Sequence, residues 1–230
     1  MVRLLHLFRT SIGSKLVVGA TGLLLFGFLL IHMIGNLKIL QGPGALNDYA
    51  AWLQGHPLLW VFRVGLLGLF GLHVLTALRL ALENRRVRPD RYRVTRHSRS
   101  TVFSRTMVVT GGLVLLFLIY HLLHLTLGAV GPDFSALPPD PQGRVDVYAR
   151  VVTSFDHPEI AGLYLVAMGL LGFHLTHAIP SLLQTLGFNH ESYETLIQVL
   201  SPMLAWAVAL GFAAVPLLAG MGLLTPPGGA

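Results

Sequence analysis

Apolar and polar positions alternate on a coarse scale along this chain: long runs with scarcely a charge are separated by short polar connections. Five runs stand out, at roughly 15–40, 58–82, 106–129, 159–183 and 200–223. Each has the length of about 20 residues that a helix needs to cross a hydrocarbon layer of about 30 Å. The pattern predicts an all-α integral membrane protein with five transmembrane helices. The connections are too short to fold alone, so residues 1–230 are expected to form a single membrane domain. The first run is too long for a secretory leader and has no small-residue cleavage site at its end, so it is read as a span.

Composition agrees with that pattern. Hydrophobic residues make up 53% of the chain and charged residues 11%, with a mean hydropathy of +0.67; soluble domains carry about 25% charged residues. There is no cysteine, which excludes disulfides and thiolate-held metal or iron–sulfur clusters on this chain. A net charge of +6 could in principle serve nucleic acid, but its placement argues for topology. Half of the 16 basic residues are arginines in "ENRRVRPDRYRVTRHSRSTVFSR" at 83–105. The 41–57 connection has no Lys or Arg, and 130–158 sets two arginines against four aspartates. By the positive-inside rule the 83–105 connection and the N-terminus are cytoplasmic and the C-terminus is outside. Eight arginines suffice for orientation and also offer a dock for a cytoplasmic partner; lipid headgroups are a third use.

Ionisable residues inside spans are costly and mark function. A lone intramembrane histidine more often makes a helix–helix hydrogen bond, but here the histidines recur at matched spacing. His32 follows Lys15 by 17 residues and His121 follows Arg105 by 16, both on outward-running spans. His73 follows Pro57 by 16 and His174 follows Pro158 by 16, both on inward-running spans. Sixteen helical residues rise about 24 Å. His32 and His121 therefore share an outer layer, and His73 and His174 an inner layer, roughly 18 Å apart. Two facing imidazoles in each of two layers suit two bis-histidine b haems stacked inside a four-helix bundle. Zinc or copper would need ligands converging on one point. Glycines on the same spans permit close helix packing and leave room for a flat macrocycle. His124 and His177 lie one turn beyond His121 and His174 on the same faces, and depth alone does not choose within either pair. Pro180 and Pro216 lie beyond any ligand position.

Four segments carry a family resemblance: "RTSIGSKLVVGATGLLLFGFLLIHMIGNL" (9–37), "GLHVLTALRLALENRRVRPDRY" (71–92), "LIYHLLHL" (118–125) and "FHLTHAIPSLLQTLGFNH" (173–190). Over about four-fifths of its length the chain resembles the five-helix, dihaem cytochrome b anchor of succinate:quinone oxidoreductases, the succinate dehydrogenases and fumarate reductases. The resemblance implies axial ligands at His32 and His121 for the distal, outer haem and at His73 and His174 for the proximal, inner one. It selects His174 over His177, because the family's fourth-helix histidine precedes a glycine by 13 residues, the interval from His174 to Gly187. It implies a flavoprotein subunit with covalent FAD and an iron–sulfur subunit as partners, a quinone, expected to be menaquinone, as substrate, and a bacterial cytoplasmic membrane as location. This chain would then belong to respiratory complex II of the tricarboxylic acid cycle, doing electron transfer and no dicarboxylate chemistry. Some family members carry glutamates for proton movement; the span interiors here have no Asp or Glu, and Gly172 stands two residues before His174.

A quinone needs a hydrogen-bond partner at each carbonyl and an apolar slot for its tail. Candidates near the outer layer are Asn36, Lys38, Asp48, Tyr49 and His124; near the inner face they are His177, Ser181, Gln184 and Arg79. Lys38, Arg63, Arg79 and Arg105 are candidates for pairing with haem propionates, or snorkel to the interface. Two other readings share some features. One is a cytochrome b anchor of a different dehydrogenase. The other is a histidine-lined transporter, against which stand two separated histidine layers without carboxylates.

Overall fold

A computed structural model describes residues 10–86, 102–188 and 190–225, with the side chains of 102–104 left aside. The described residues are helical and include no strand. Among the described residues, seven α-helices run in order: α1 (Ser11–Asn36), α2 (Pro43–Gly55), α3 (Leu59–Arg86), α4 (Val102–His121), α5 (Val147–Phe155), α6 (Pro158–Thr185) and α7 (Glu191–Gly220). Helices α1, α3, α4, α6 and α7 are long and apolar enough to cross a membrane.

Their ends follow local chemistry. Thr10 caps α1, its hydroxyl oxygen accepting from the Gly13 N–H at 3.0 Å and so satisfying one of the otherwise orphaned amides of the first turn. A 3₁₀ segment, Leu37–Gln41, extends α1 to Gly42, whose φ of +99° ends it. Helix α4 passes into a π-helical turn, Leu122–Thr126, which stops before Gly128 at φ +61°. That span therefore ends at 126 and not near 129. Helix α7 starts nine residues before the expected 200: the polar stretch "ESYET" winds as its first turns, with Glu191 and Glu194 at the positive end of the helix dipole. Hydropathy placed that boundary late because those turns are polar.

The five spans form a partly open bundle. Helix α1 packs along α3 and α6, α4 packs along α6, and α7 lies against α6 in the most extensive interface. Gly172 permits this last approach, since a Cβ there would sit 3.1 Å from the Trp206 ring and 3.2 Å from the Ala209 Cβ. By contrast, α1 with α4, and α3 with α6, show no comparable close backbone packing. Those two pairs carry the paired histidines. Helix α3 has no buried residue and presents Val64, Leu67, Leu75 and other apolar side chains outward, as a lipid-facing span does.

Two connections read from the sequence as plain loops contain helices. Helices α2 and α5 pack on each other and on the bundle end. Their core joins Ile39, Leu46, Tyr148, Val152 and Phe155 to Tyr164, Val215 and Ala219 of the spans. Buried Asn47 locks the two together: its amide donates to Asp146 Oδ1 at 3.0 Å and its carbonyl accepts from the Tyr148 N–H at 3.0 Å. Both helices are short, and α2 is weakly apolar, so their stability comes from this docking and not from propensity.

Candidate functional site

At the capped end of the bundle, His32 near the end of α1 and His121 at the end of α4 meet with ring centroids 6.0 Å apart and planes at 77°. Aromatic rings enclose them: Phe28 stacks on His32 at 5.3 Å, Phe212 of α7 lies 5.6 Å away, and Phe117 lies 5.9 Å from His121. The Tyr164 hydroxyl of α6 sits between His121 Nδ1 at 3.3 Å and His124 Nδ1 at 3.0 Å. A phenol has one proton, so it donates to one of these nitrogens at most, and the other must donate to it. His124 is fully buried, walled by Phe134 and Gly131, and its Nε2 has no hydrogen-bond partner. His124 lies within the π-helical turn; such turns often accompany functional sites.

Of the other outer candidates, Asn36, Lys38 and Tyr49 gather at the end of α1. The Asn36 amide approaches His32 Nε2 at 3.4 Å. Tyr49 lies against Gly35, where a Cβ would fall 2.7 Å from its ring, and Lys38 Nζ stands 5.8 Å from that ring's centre. Asp48 is exposed and pairs with Arg144 at 2.8 Å, so it belongs to the surface of the cap.

The inner histidines share a second arrangement. His73 Nδ1 of α3 lies 3.0 Å from Thr21 Oγ1 of α1, and His174 Nδ1 of α6 lies 3.4 Å from Thr110 Oγ1 of α4. The residue after each threonine is a glycine under the imidazole: a Cβ on Gly22 would stand 3.3 Å from His73 Cε1, and one on Gly111 3.1 Å from His174 Cε1. Thr21 precedes His32 by 11 residues, and Thr110 precedes His121 by 11. Eleven helical residues rise about 16 Å, which sets the separation of the inner and outer histidine layers along both helices. His177 is half-buried one turn further along α6.

These side chains can serve as paired axial ligands. Among the described residues no three His, Asp or Glu side chains converge on one point, so a centre built from three protein ligands does not arise there. Two imidazoles on one iron, each with a metal–nitrogen bond of about 2 Å and its ring centre about 1 Å behind, place their centroids about 6 Å apart. The His32–His121 separation of 6.0 Å has that value. Hydroxyls on the Nδ1 side of His73, His174 and His121 leave Nε2 as the coordinating atom there, whereas at His32 the Asn36 amide stands 3.4 Å from Nε2 and would have to turn aside for that nitrogen to coordinate. Apolar and aromatic walls suit a porphyrin. The donor set and the glycine-floored rings therefore fit a bis-imidazole haem.

The four basic candidates for propionate pairing are dispersed. Arg63 lies over the Trp60 ring at 5.1 Å, Arg79 pairs with Glu83 at 2.7 Å, Arg105 is exposed in the first turns of α4, and Lys38 faces Tyr49. Most of the arginine-rich 83–105 connection lies outside the described residues. At the end of the bundle opposite the cap, Gln184 borders a small cavity with Pro180, His190 and Glu194. Beside it an apolar groove of about 260 Å³ runs between α6 and α7 along Leu183 and Leu200, with Ser201 on its wall. The cap is held electrostatically by Arg144, which reaches Asp140 and Asp48, each at 2.8 Å. Burial pushes the Asp140 carboxyl up, but the Arg144 and Gln142 N–H groups and the Arg144 charge outweigh it and hold it below the usual carboxylate range.

Thr21, Thr110 and Tyr164 were not among the residues singled out from sequence. A signal for the threonines does exist, a Thr-Gly step at the same interval before His32 and His121, whereas Tyr164 is marked only by its three-dimensional position. Comparison of the chain with protein-family models, curated proteins and solved structures finds no match in any of the three.

Proposed function

We propose that this chain is the membrane-embedded, two-haem cytochrome b subunit of a succinate:quinone oxidoreductase, carrying electrons between an iron–sulfur subunit and a quinone. The observation that carries the haem reading is the pairing of imidazoles from helices that do not otherwise pack closely, His32 with His121, together with the hydroxyl-anchored His73 and His174 a helical distance of about 16 Å away. The assignment to succinate oxidation or fumarate reduction rests on the sequence resemblance at 9–37, 71–92, 118–125 and 173–190.

A bound haem iron would supply one-electron chemistry by alternating between ferric and ferrous states. The chain's own residues do the rest. His32 and His121 would hold the distal group, and His73 and His174 the proximal one. Phe28, Phe117 and Phe212 keep water from the distal pair, and Gly22 and Gly111 let the inner imidazoles lie against the neighbouring helix. In this reading Arg85, Arg86 and Arg105, flanking the basic connection, face the cytoplasm and present positive charge to the iron–sulfur subunit. Asn36, Lys38 and Tyr49 form the outer polar cluster open to a quinone head, and His177 and Gln184 the inner one. His124, closed in beneath the cap, serves the Tyr164 hydrogen bond.

Purification of the complex through a tag on this chain tests the assignment. Co-isolation of a subunit with covalent flavin and of an iron–sulfur subunit, with a b-type absorbance reduced by succinate, is the expected result. A haem-bearing chain that co-isolates with a different dehydrogenase and ignores succinate would refute it.

A further inference from the structure

Each inner histidine meets a threonine whose single proton is already engaged. Thr21 Oγ1 donates within its own helix to the Val17 carbonyl at 2.7 Å, with the Val18 carbonyl at 3.1 Å. Thr110 Oγ1 does the same toward the Thr106 and Met107 carbonyls, both at 3.2 Å. A hydroxyl has one donor and two acceptor lone pairs, so the threonine oxygen faces His73 Nδ1 at 3.0 Å, and His174 Nδ1 at 3.4 Å, as an acceptor. The imidazole must then carry its proton on Nδ1. Both threonines are buried, at 5% and 7% exposure, where an unmatched donor is costly and water does not substitute. The glycine that follows each one removes the Cβ that would lift the ring away.

We infer that Thr21 and Thr110 are positioning residues, which fix His73 and His174 in the Nδ1-protonated tautomer and turn a bare Nε2 lone pair toward a metal. The inference rests on the two-haem reading and adds to it a division of labour: each outward span carries one outer ligand and, 11 residues earlier, the hydroxyl that sets the partner layer's ligand. An imidazole whose N–H is accepted by an oxygen is a more basic ligand. Such a ligand favours ferric iron, so loss of the hydroxyl raises the proximal potential.

The test uses the intact complex with Thr21→Val, Thr110→Val and the conservative Thr21→Ser, read by potentiometric titration of the b-haem absorbance and by EPR of the oxidised haems. The valine variants keep shape without the hydroxyl acceptor; beside His73 the Val18 carbonyl stays in place. Expected are a positive shift of the proximal midpoint, an altered proximal EPR signal, about tenfold weaker retention of that haem, and an unchanged distal haem; Thr21→Ser restores the wild-type values. Proximal haem that stays fully bound with unchanged potential and EPR in both valine variants overturns the inference, as does a serine variant no better than valine. Wild-type complex with no haem at all overturns the underlying reading, a result separable from either of these.

Discussion

His121 Nδ1 and His124 Nδ1 lie 3.3 Å and 3.0 Å from the same Tyr164 hydroxyl. The two residues are three apart, yet their environments differ. His121 faces His32 across the bundle, whereas His124 is sealed by Phe134 and Gly131 with Nε2 unpartnered. In the two-haem reading proposed above, this difference makes His121 the ligand and His124 its neighbour on the third span. It predicts that His121→Ala removes the distal haem with the proximal one retained, halving haem per chain, whereas His124→Gln leaves both haems bound. Haem-to-protein ratios on the purified variants measure this.

Tyr164→Phe deletes the shared hydroxyl and keeps the ring. The distal haem is expected to remain, with its midpoint potential and EPR signal moved, because His121 loses the group that orients its Nδ1 side. The proximal haem signal should not change. An unmoved distal signal would show that Tyr164 serves only the cap.

On α6 the expectation follows the matched spacing that singles out His174. Thr110 reaches His174, and His177 lies one turn on, so His174→Ala is expected to lose the proximal haem and His177→Ala to keep it. Quinone-reduction kinetics of the His177 variant then report its part in the inner polar cluster.

Gly172→Leu should prevent assembly. A Cβ at that position already stands 3.1 Å from Trp206, and the added branches drive α6 from α7. Overpacking of this kind typically costs about 1–3 kcal/mol or more. Loss of the folded chain from detergent-solubilised membranes, against Gly172→Ala as the milder change, measures the effect.

The cap formed by α2, α5 and the 130–146 connection has an acid limit. Asp140 has its carboxyl held below the ordinary value of about 3.9 by Arg144 and Gln142 in spite of burial. A carboxylate depressed on folding contributes stability that is fully present above its unfolded pKa and lost as pH falls through the folded one. Hydrogen exchange across 140–148 is therefore expected to be flat from pH 7 to about pH 5, once corrected for intrinsic rates, and to rise below about pH 4. Asp140→Asn should show the raised exchange already at neutral pH.

Hydropathy made the spans legible because a membrane helix must be apolar for about 20 residues, whatever its neighbours. Helices α2 and α5 were not legible: each is brief, and what holds them is the Asn47–Asp146 pairing across 99 residues of sequence. The start of α7 was misplaced for the related reason that "ESYET" is helical yet polar. Among candidate residues, spacing singles out His32, His73, His121 and His174, since depth in a membrane is a count along the helix, and the fold sets the His32 and His121 rings side by side. Spacing could not find Tyr164, nor distinguish His124 from His121, because their different surroundings come from Tyr164 of α6 and from Phe134, folded back from the connection that follows α4. Asp48 is named from sequence as a quinone candidate, and only the fold shows Arg144 beside it.

The most direct test of the two-layer account is haem stoichiometry on the purified complex, by pyridine haemochrome against protein content. Two b-type haems per chain, titrating as two separable one-electron centres, are the expected result. One haem or none in the wild-type complex would contradict the account.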